Sequence, residues 1–238
     1  SLSENFNAFF LKMIEANKHT LLAASPQLGG GVFLVTDISS ILRIPYSKVR
    51  HWLNEFWDEE FGKQHGGYSF GDAKNRAVNF HTLLEFYAFY KLREKGLSSQ
   101  RIRKAHDEIS RMLNTPYPFA STLRTDGSHI WYEHLEECVR VDGKKQIALK
   151  KVLEPFLDKI EFGDDNMARC FFPIGKNREV VVDPHHQFGQ PTIRGTNIKV
   201  ETIYQLYMGG ETKKSITALY NLNAKQVNDA LRYFNIAA

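Results

Sequence analysis

The sequence predicts an α+β chain that is mainly α: an amino-terminal winged helix-turn-helix, a β-containing middle region and a carboxyl-terminal helical, helix-turn-helix-like domain. Three observations carry this expectation. Apolar side chains recur at helical spacing over 35–53, 81–112 and 200–234, whereas residues 117–182 change to short β-rich runs broken by turn signals. Hydrophobic residues make up 42% of 238 and aromatics 13%, enough to fill real cores and too rich in large apolar groups for a disordered chain.

In chain order, Phe6, Phe9, Phe10, Met13 and Ile14 give a helix, and Ser25-Pro26 with Gly29-Gly30-Gly31 break it, so 1–30 reads as a helical extension. Two short helices follow. Thr36 is the expected cap of the first, with Ile38, Ile41 and Leu42 as its apolar face; Arg43-Ile44-Pro45 makes the turn; Val49, Trp52 and Leu53 face inward from the second. Residues 66–70 and 77–80, separated by a polar loop, alternate like a hairpin wing with Lys74 and Arg76 at or near its tip. Residues 81–95 form a helix whose Leu83, Leu84, Phe86, Tyr87, Phe89, Tyr90 and Leu92 point almost all the way round. A helix apolar on every side must be buried on every side. One face is therefore expected against its own domain and another against a second subunit, with Leu83, Phe86, Phe89 and Tyr90 as dimerisation residues. Gly96 ends that helix, Ser98 caps the next, and Ile102, Ala105, Ile109 and Met112 line its inner side.

Farther on, Thr125-Asp126-Gly127-Ser128 is a turn into Ile130-Trp131-Tyr132, and Asp142-Gly143 is a hairpin turn between 138–141 and 146–149. A helix near 152–159 and strands at 168–174 and 180–182 follow. Helices are expected over Val200–Met208, ended by Gly209-Gly210, over Lys213–Tyr220 and over 224–234, where Asn223 and Gln226 make a cap pair. The expected division is 1–30, 31–116 (winged helix-turn-helix with dimerisation helix), 117–179 (β-containing middle) and 180–238. No internal repeat is visible.

The net charge of +4, from 31 Lys plus Arg against 27 Asp plus Glu, is too mild to imply nucleic-acid binding by itself. Its distribution says more: 79–116 is basic, 117–182 slightly acidic and 183–238 basic again. Two cysteines, Cys138 and Cys170, are too few for a disulfide scaffold and favour free thiols in a reduced cytoplasm. No apolar run approaches the roughly 18 residues that cross a bilayer, so no membrane association is expected. Gly-rich phosphate loops, His-Glu-x-x-His, Cys-x-x-Cys and Gly-x-Ser-x-Gly are missing. Asp58-Glu59-Glu60 and Asp164-Asp165 read as solvated turn residues, and His185-His186 lack partners for a metal. The expectation is a non-enzyme with no catalytic residue, metal or cofactor.

In a helix-turn-helix the second helix enters the major groove. Tyr46, Ser47, Lys48, Arg50 and His51 are then the candidate readers, joined by Lys74 and Arg76. Arg can pair bidentately with guanine, and Lys and Ser hold phosphate. The same pattern also suits a three-helix packing unit with a solvated basic face.

Two resemblances bear on this. Residues 33–38 (Phe-Leu-Val-Thr-Asp-Ile) through Arg50-His51-Trp52-Leu53 resemble the start of the MerR-type winged helix-turn-helix, and 92–103 (Leu-Arg-Glu-Lys-Gly-Leu-Ser-Ser-Gln-Arg-Ile-Arg) its following helix pair; Pro45 departs from the polar cap usual there. Val180-Val181-Val182-Asp183-Pro184, the run Phe188-Gly189-Gln190-Pro191-Thr192-Ile193-Arg194-Gly195-Thr196, Val200-Glu201-Thr202-Ile203 and Gly209-Gly210-Glu211 are similar to the antitoxin domain known as domain of unknown function 433, with Asn197 and Lys199 where that family often has Arg and Pro. The resemblance implies a VapB-like type II antitoxin that neutralises a PIN-like ribonuclease toxin and represses its own operon; operator double-stranded DNA is the expected nucleic-acid partner, and the homodimer is expected from the all-round apolar helix. The other reading is a ligand-sensing MerR-type regulator without a toxin partner, the middle region being its effector pocket. The glycines and proline of the Gly-x-Pro-x-Ile-x-Gly-Thr run are expected to shape a loop.

Overall fold

The computed structural model of the chain describes residues 27–62, 67–72, 75–121, 124–125, 128–129 and 154–235. Residues 1–26 of the expected extension over 1–30, Lys74, the strands around 130–132 and 138–149, and Cys138 lie outside them.

Strand β1 (Phe33–Leu34) runs directly into helix α1 (Val35–Leu42). The N-cap is Leu34, not Thr36, which lies inside the first turn. A leucine has no side-chain acceptor, so the cap works in reverse: the Asp37 carboxylate accepts the Leu34 N–H at 2.8 Å. Helix α2 (Tyr46–Trp52) starts at Pro45, whose carbonyl accepts from Lys48 and Val49 at 3.0 and 3.1 Å. The backbone thus begins the helix without the polar side chain usual at that place.

Helix α2 continues as a π-helix over Leu53–Phe61, which apolar periodicity does not announce. It carries Leu53, Trp57 and Phe61 into the core. Strands β2 (Ser69–Phe70) and β3 (Ala77–Val78) pair antiparallel, Ser69 opposite Val78, and β3 also pairs with β1 to give sheet order β1-β3-β2. Asp58 fastens the hairpin to the π-helix: its carboxylate accepts the Tyr68 and Ser69 N–H groups at 3.0 Å and the Ser69 hydroxyl. It is therefore a structural anchor and not the solvated turn residue expected, and Glu60 pairs with Arg103 at 2.7 Å.

Helices α3 (Phe80–Glu94) and α4 (Ser99–Leu113) are capped by Asn79 and Ser98, which accept the Thr82 and Arg101 N–H groups at 2.8 and 3.3 Å. Leu83, Leu84, Phe86, Phe89 and Leu92 are 0% exposed in the single chain. The sequence expectation assigned part of this helix to a second subunit. In the structure the π-helix, α2 and α4 surround it instead: the Phe89 ring lies 5.1 Å from Trp52, 5.7 Å from Trp57 and 5.7 Å from Phe61. Of the four expected dimer residues only Tyr90 keeps appreciable exposure.

The middle region supplies the short hairpin β4 (Arg124–Thr125) and β5 (Ser128–His129), a helical turn at 154–157, and the antiparallel pair β6 (Ile160–Phe162) and β7 (Ala168–Phe171). Phe156, Leu157, Ile160, Ala168 and Phe171 join the same hydrophobic core as α1–α4. Strands β8 (Val180–Val181) and β9 (Thr192–Ile193) then pair and lead to helices α5 (Val200–Met208), α6 (Lys213–Tyr220) and α7 (Ala224–Asn235). These enclose a second core of Val180, Ile193, Val200, Ile203, Ile216, Leu222, Val227, Ala230, Leu231 and Tyr233. The expected cap pair is present, with Gln226 N–H donating to the Asn223 side chain and Asn223 N–H to the Gln226 side chain, both at 2.9 Å.

Gly189 seats the loop before β9 on the first core. Its φ is +88°, and a Cβ there would sit 2.3 Å from the Phe33 ring, so only glycine lets the loop close on β1. Beside it the Val32 N–H donates to the Phe188 carbonyl at 2.9 Å. The first glycine of the Gly-x-Pro-x-Ile-x-Gly-Thr run thus has a packing role.

Candidate nucleic-acid interface

Helix α2 buries Val49 and Trp52 against α1 and the core and leaves Tyr46, Ser47, Lys48, Arg50 and His51 exposed. Two flanks result. Tyr46 and Arg50 line an open groove together with Leu34, Thr36, Asn54, Asp58, Glu59 and Arg76. The groove brings three of the expected readers, Tyr46, Arg50 and Arg76, to one place.

The candidates differ in freedom. Arg76 is held by Asn54 and lies 3.5 Å from the Asp58 carboxylate, which ties it to the hairpin anchor. Arg50 has no ion-pair partner among the described residues. His51 Nδ1 lies 2.8 Å from the Glu55 carboxylate, and both side chains are exposed. Lys48 is on the opposite flank, its ammonium 5.5 Å from the Trp52 ring centre and 5.4 Å from that of Tyr90. There its ammonium lies over aromatic faces. Because the sequence reading stops the helix at Leu53, it does not name Asn54 and takes Asp58 and Glu59 for solvated turn residues, not groove residues. Continuing the i, i+4 row from Arg50 would have reached Asn54 and Asp58.

No cluster of three or more His, Cys, Asp or Glu side chains suited to a metal exists among the described residues. His185 and His186 turn to Asp183, with His185 Nδ1 3.2 Å from its carboxylate, and His186 Nδ1 lies 2.8 Å from the Asn197 side-chain oxygen. Cys170 is a buried free thiol whose pKa is pushed up to about 12, chiefly by burial. No helix among the described residues is long and apolar enough to cross a membrane.

Residues 180–234 match the family described as "Protein of unknown function (DUF433)". Over 166 residues, 64% of this chain and 69% of the relative, the sequence is 29% identical to a Mycobacterium tuberculosis H37Rv protein named "Putative antitoxin VapB45". It is also 26% identical to "Uncharacterized protein Rv2308" of the same organism, across 89% of this chain and 93% of that one. The crystal structure of Rv2018 from Mycobacterium tuberculosis has the same fold, with a TM-score of 0.66 at 21% identity over 87% of this chain and 98% of that chain. The chain is thus α+β with small sheets, carries a DUF433-like carboxyl-terminal segment, and is similar to an antitoxin-like protein.

Proposed function

We propose that the chain is the antitoxin of a type II toxin-antitoxin pair, binding and neutralising a PIN-like ribonuclease toxin and repressing its own operon. It is read as a cytoplasmic, homodimeric regulator and not an enzyme. The observation that carries this reading is the similarity to the protein named as an antitoxin over 166 residues. Residues 31–116 are the winged helix-turn-helix: α1 and α2 are the helix pair, β2–β3 the wing, Tyr46, Arg50 and Arg76 the readers that line one groove, and Ser47 and His51 further exposed contacts on α2. Lys48 contributes phosphate contact at the flank, and Lys74, outside the described residues, is proposed as a further phosphate contact. Toxin binding falls to the middle region and residues 180–238, where Tyr207, Met208 and Leu219 are 42%, 65% and 69% exposed and offer apolar area to a partner.

The test is co-expression with the product of the adjacent gene. Stable co-purification of a small ribonuclease, rescue of growth from its toxicity, and a gel shift of the upstream DNA support the reading; growth arrest unrelieved by this chain overturns it. A ligand-sensing MerR-type regulator is the second reading. It is favoured by a cleft between the amino-terminal core and the middle region, lined by Asn79, His81, Tyr117, Asp165, Arg169 and His185. An upstream-DNA shift altered by a small cell metabolite, with no ribonuclease bound, decides for it.

A further inference from the structure

Two helix pairs in this chain share one local design although no sequence repeat is visible between them. Helices α1 and α6 are each 8 residues long and each end in a left-handed non-glycine residue, Arg43 at φ 60° and Asn221 at φ 51°. Both turns close by the same backbone bond, Ile44 N–H to the Ser39 carbonyl at 3.2 Å and Leu222 N–H to the Thr217 carbonyl at 3.0 Å. Ile44 and Leu222 plug the turn, at 1% and 7% exposure. The second helix then begins after one more residue, Pro45 or Asn223, and the buried positions coincide at a constant offset: Ile38 with Ile216, Val49 with Val227, Trp52 with Ala230, Leu53 with Leu231.

We propose that α6–α7 is a second double-stranded DNA contact surface, which rests on the reading of α1–α2 as the first. In this register Arg50 corresponds to Asn228 and Asn54 to Arg232, so α7 presents Asn228 and Arg232 four residues apart on one exposed face. Asn suits the adenine edge and Arg the guanine edge in the major groove. Lys213 and Lys214 occupy the first turn of α6, and Lys213 donates to the Asn228 side chain at 2.7 Å, placing a cation beside the reading face. Cations at a helix amino terminus oppose the helix dipole. Their position is unfavourable for the isolated helix and favourable beside phosphate. Lys225, on the same face, is held by Glu179 and lies 3.7 Å from the Asp229 carboxylate, so it contributes less.

The experiment uses the full chain with duplexes tiling the DNA upstream of its own reading frame, read by gel shift and by nuclease footprint at matched salt. Asn228→Ala/Arg232→Ala should bind the best wild-type duplex at least tenfold more weakly and lose one edge of the footprint. Lys213→Ala/Lys214→Ala should reduce the slope of log affinity against log salt by about 0.9 for each phosphate that these lysines neutralise. Unchanged melting temperatures show that these exposed changes keep the fold. Full affinity and footprint in the Asn228/Arg232 variant, with Arg50→Ala impaired, overturn the second surface alone. Loss in the Asn228/Arg232 variant with Arg50→Ala unimpaired keeps it and overturns the first. A wild-type chain that shifts none of the tiled duplexes overturns both.

Discussion

The Arg43 guanidinium donates to the backbone carbonyl of Tyr233 and lies 4.6 Å from the centre of the Tyr233 ring. Arg43 ends α1, and Tyr233 lies in the last turn of α7, so a cation from the amino-terminal turn caps the final helix and complements its dipole. The contact binds the proposed DNA-reading helix pair to the DUF433-like segment. Arg43 is left-handed, which costs a non-glycine residue about 1 kcal/mol. Arg43→Ala keeps that strain and removes the charge-assisted bond and the packing on the ring, so urea denaturation should show a loss of about 2–3 kcal/mol. Arg43→Gly relieves the strain and should lose less. Equal stability of all three proteins would show that the contact contributes nothing.

Gly189 and Phe33 give a second, steric link. Gly189→Ala combines an alanine at φ +88° with a Cβ 2.3 Å from the Phe33 ring, and should cost about 2–4 kcal/mol. Phe33→Leu removes the obstructing ring, so the double variant should be less destabilised than the sum of the two single changes. Strict additivity in thermal melts would mean that the two residues do not meet.

Phe89 distinguishes a core from an interface. A dimer-face residue changed to Glu yields folded monomers. Phe89 is 0% exposed among Trp52, Trp57 and Phe61, so Phe89→Glu buries an unpaired charge and should abolish the cooperative melt, whatever the oligomeric state. Folded monomers by circular dichroism and light scattering would return this helix to the subunit interface.

Much of this architecture is legible in local pattern. Helices α5 and α6 have the bounds read from the sequence because Gly209-Gly210 and Asn221 punctuate them, and Asn223 with Gln226 announces its own cap pair. The hairpin of β2 and β3 is likewise visible in alternation around a polar loop. What is hidden depends on contacts distant in sequence. The π-helix has no periodicity signature, so Asp58 reads as a turn residue until Tyr68 and Ser69 are seen bound to it. An all-round apolar helix has one pattern whether its last face meets a second chain or, as here, Trp52, Trp57 and Phe61 of its own. The candidate readers follow from the inward positions Val49 and Trp52, but periodicity cannot separate Arg50, in the groove, from Lys48, lying over rings.

Arg50 and Lys48 therefore make a contrasting pair. Arg50→Ala should weaken binding to the preferred upstream duplex by about 1–3 kcal/mol and reduce discrimination against random duplex. Lys48→Ala should weaken both duplexes alike and lower the salt slope by about 0.9. Equal loss of discrimination in the two variants would remove the distinction between the flanks.

The Glu85–His106 pair sets a pH dependence that can be read without DNA or toxin. Both side chains are 0% exposed, with His106 Nε2 3.1 Å from Glu85 Oε2, the other Glu85 oxygen accepting the Ala120 N–H at 2.7 Å, and Asp107 3.9 Å from His106 Nδ1. Burial raises the Glu85 pKa above 4.5 although His106 and backbone donors oppose it. For His106 burial acts downward, yet the neighbouring carboxylates of Asp107 and Glu85 outweigh it and hold the pKa above 6.5. Both shifts mean that the folded chain keeps protons the unfolded chain releases, so this contribution to stability is present in acid and declines as pH rises from about 4.5 to beyond 6.5. Glu85→Gln removes one titration and the partner that holds the proton on His106. It should destabilise by about 1–3 kcal/mol below pH 6.5, and the deficit should shrink at alkaline pH. His81, whose pKa is lowered mainly by burial, acts with the opposite sign, but it is present in both proteins and cancels in their difference. Denaturant titrations from pH 5 to pH 9 measure that difference, and a deficit constant across the range would show that the pair does not exchange its protons on unfolding.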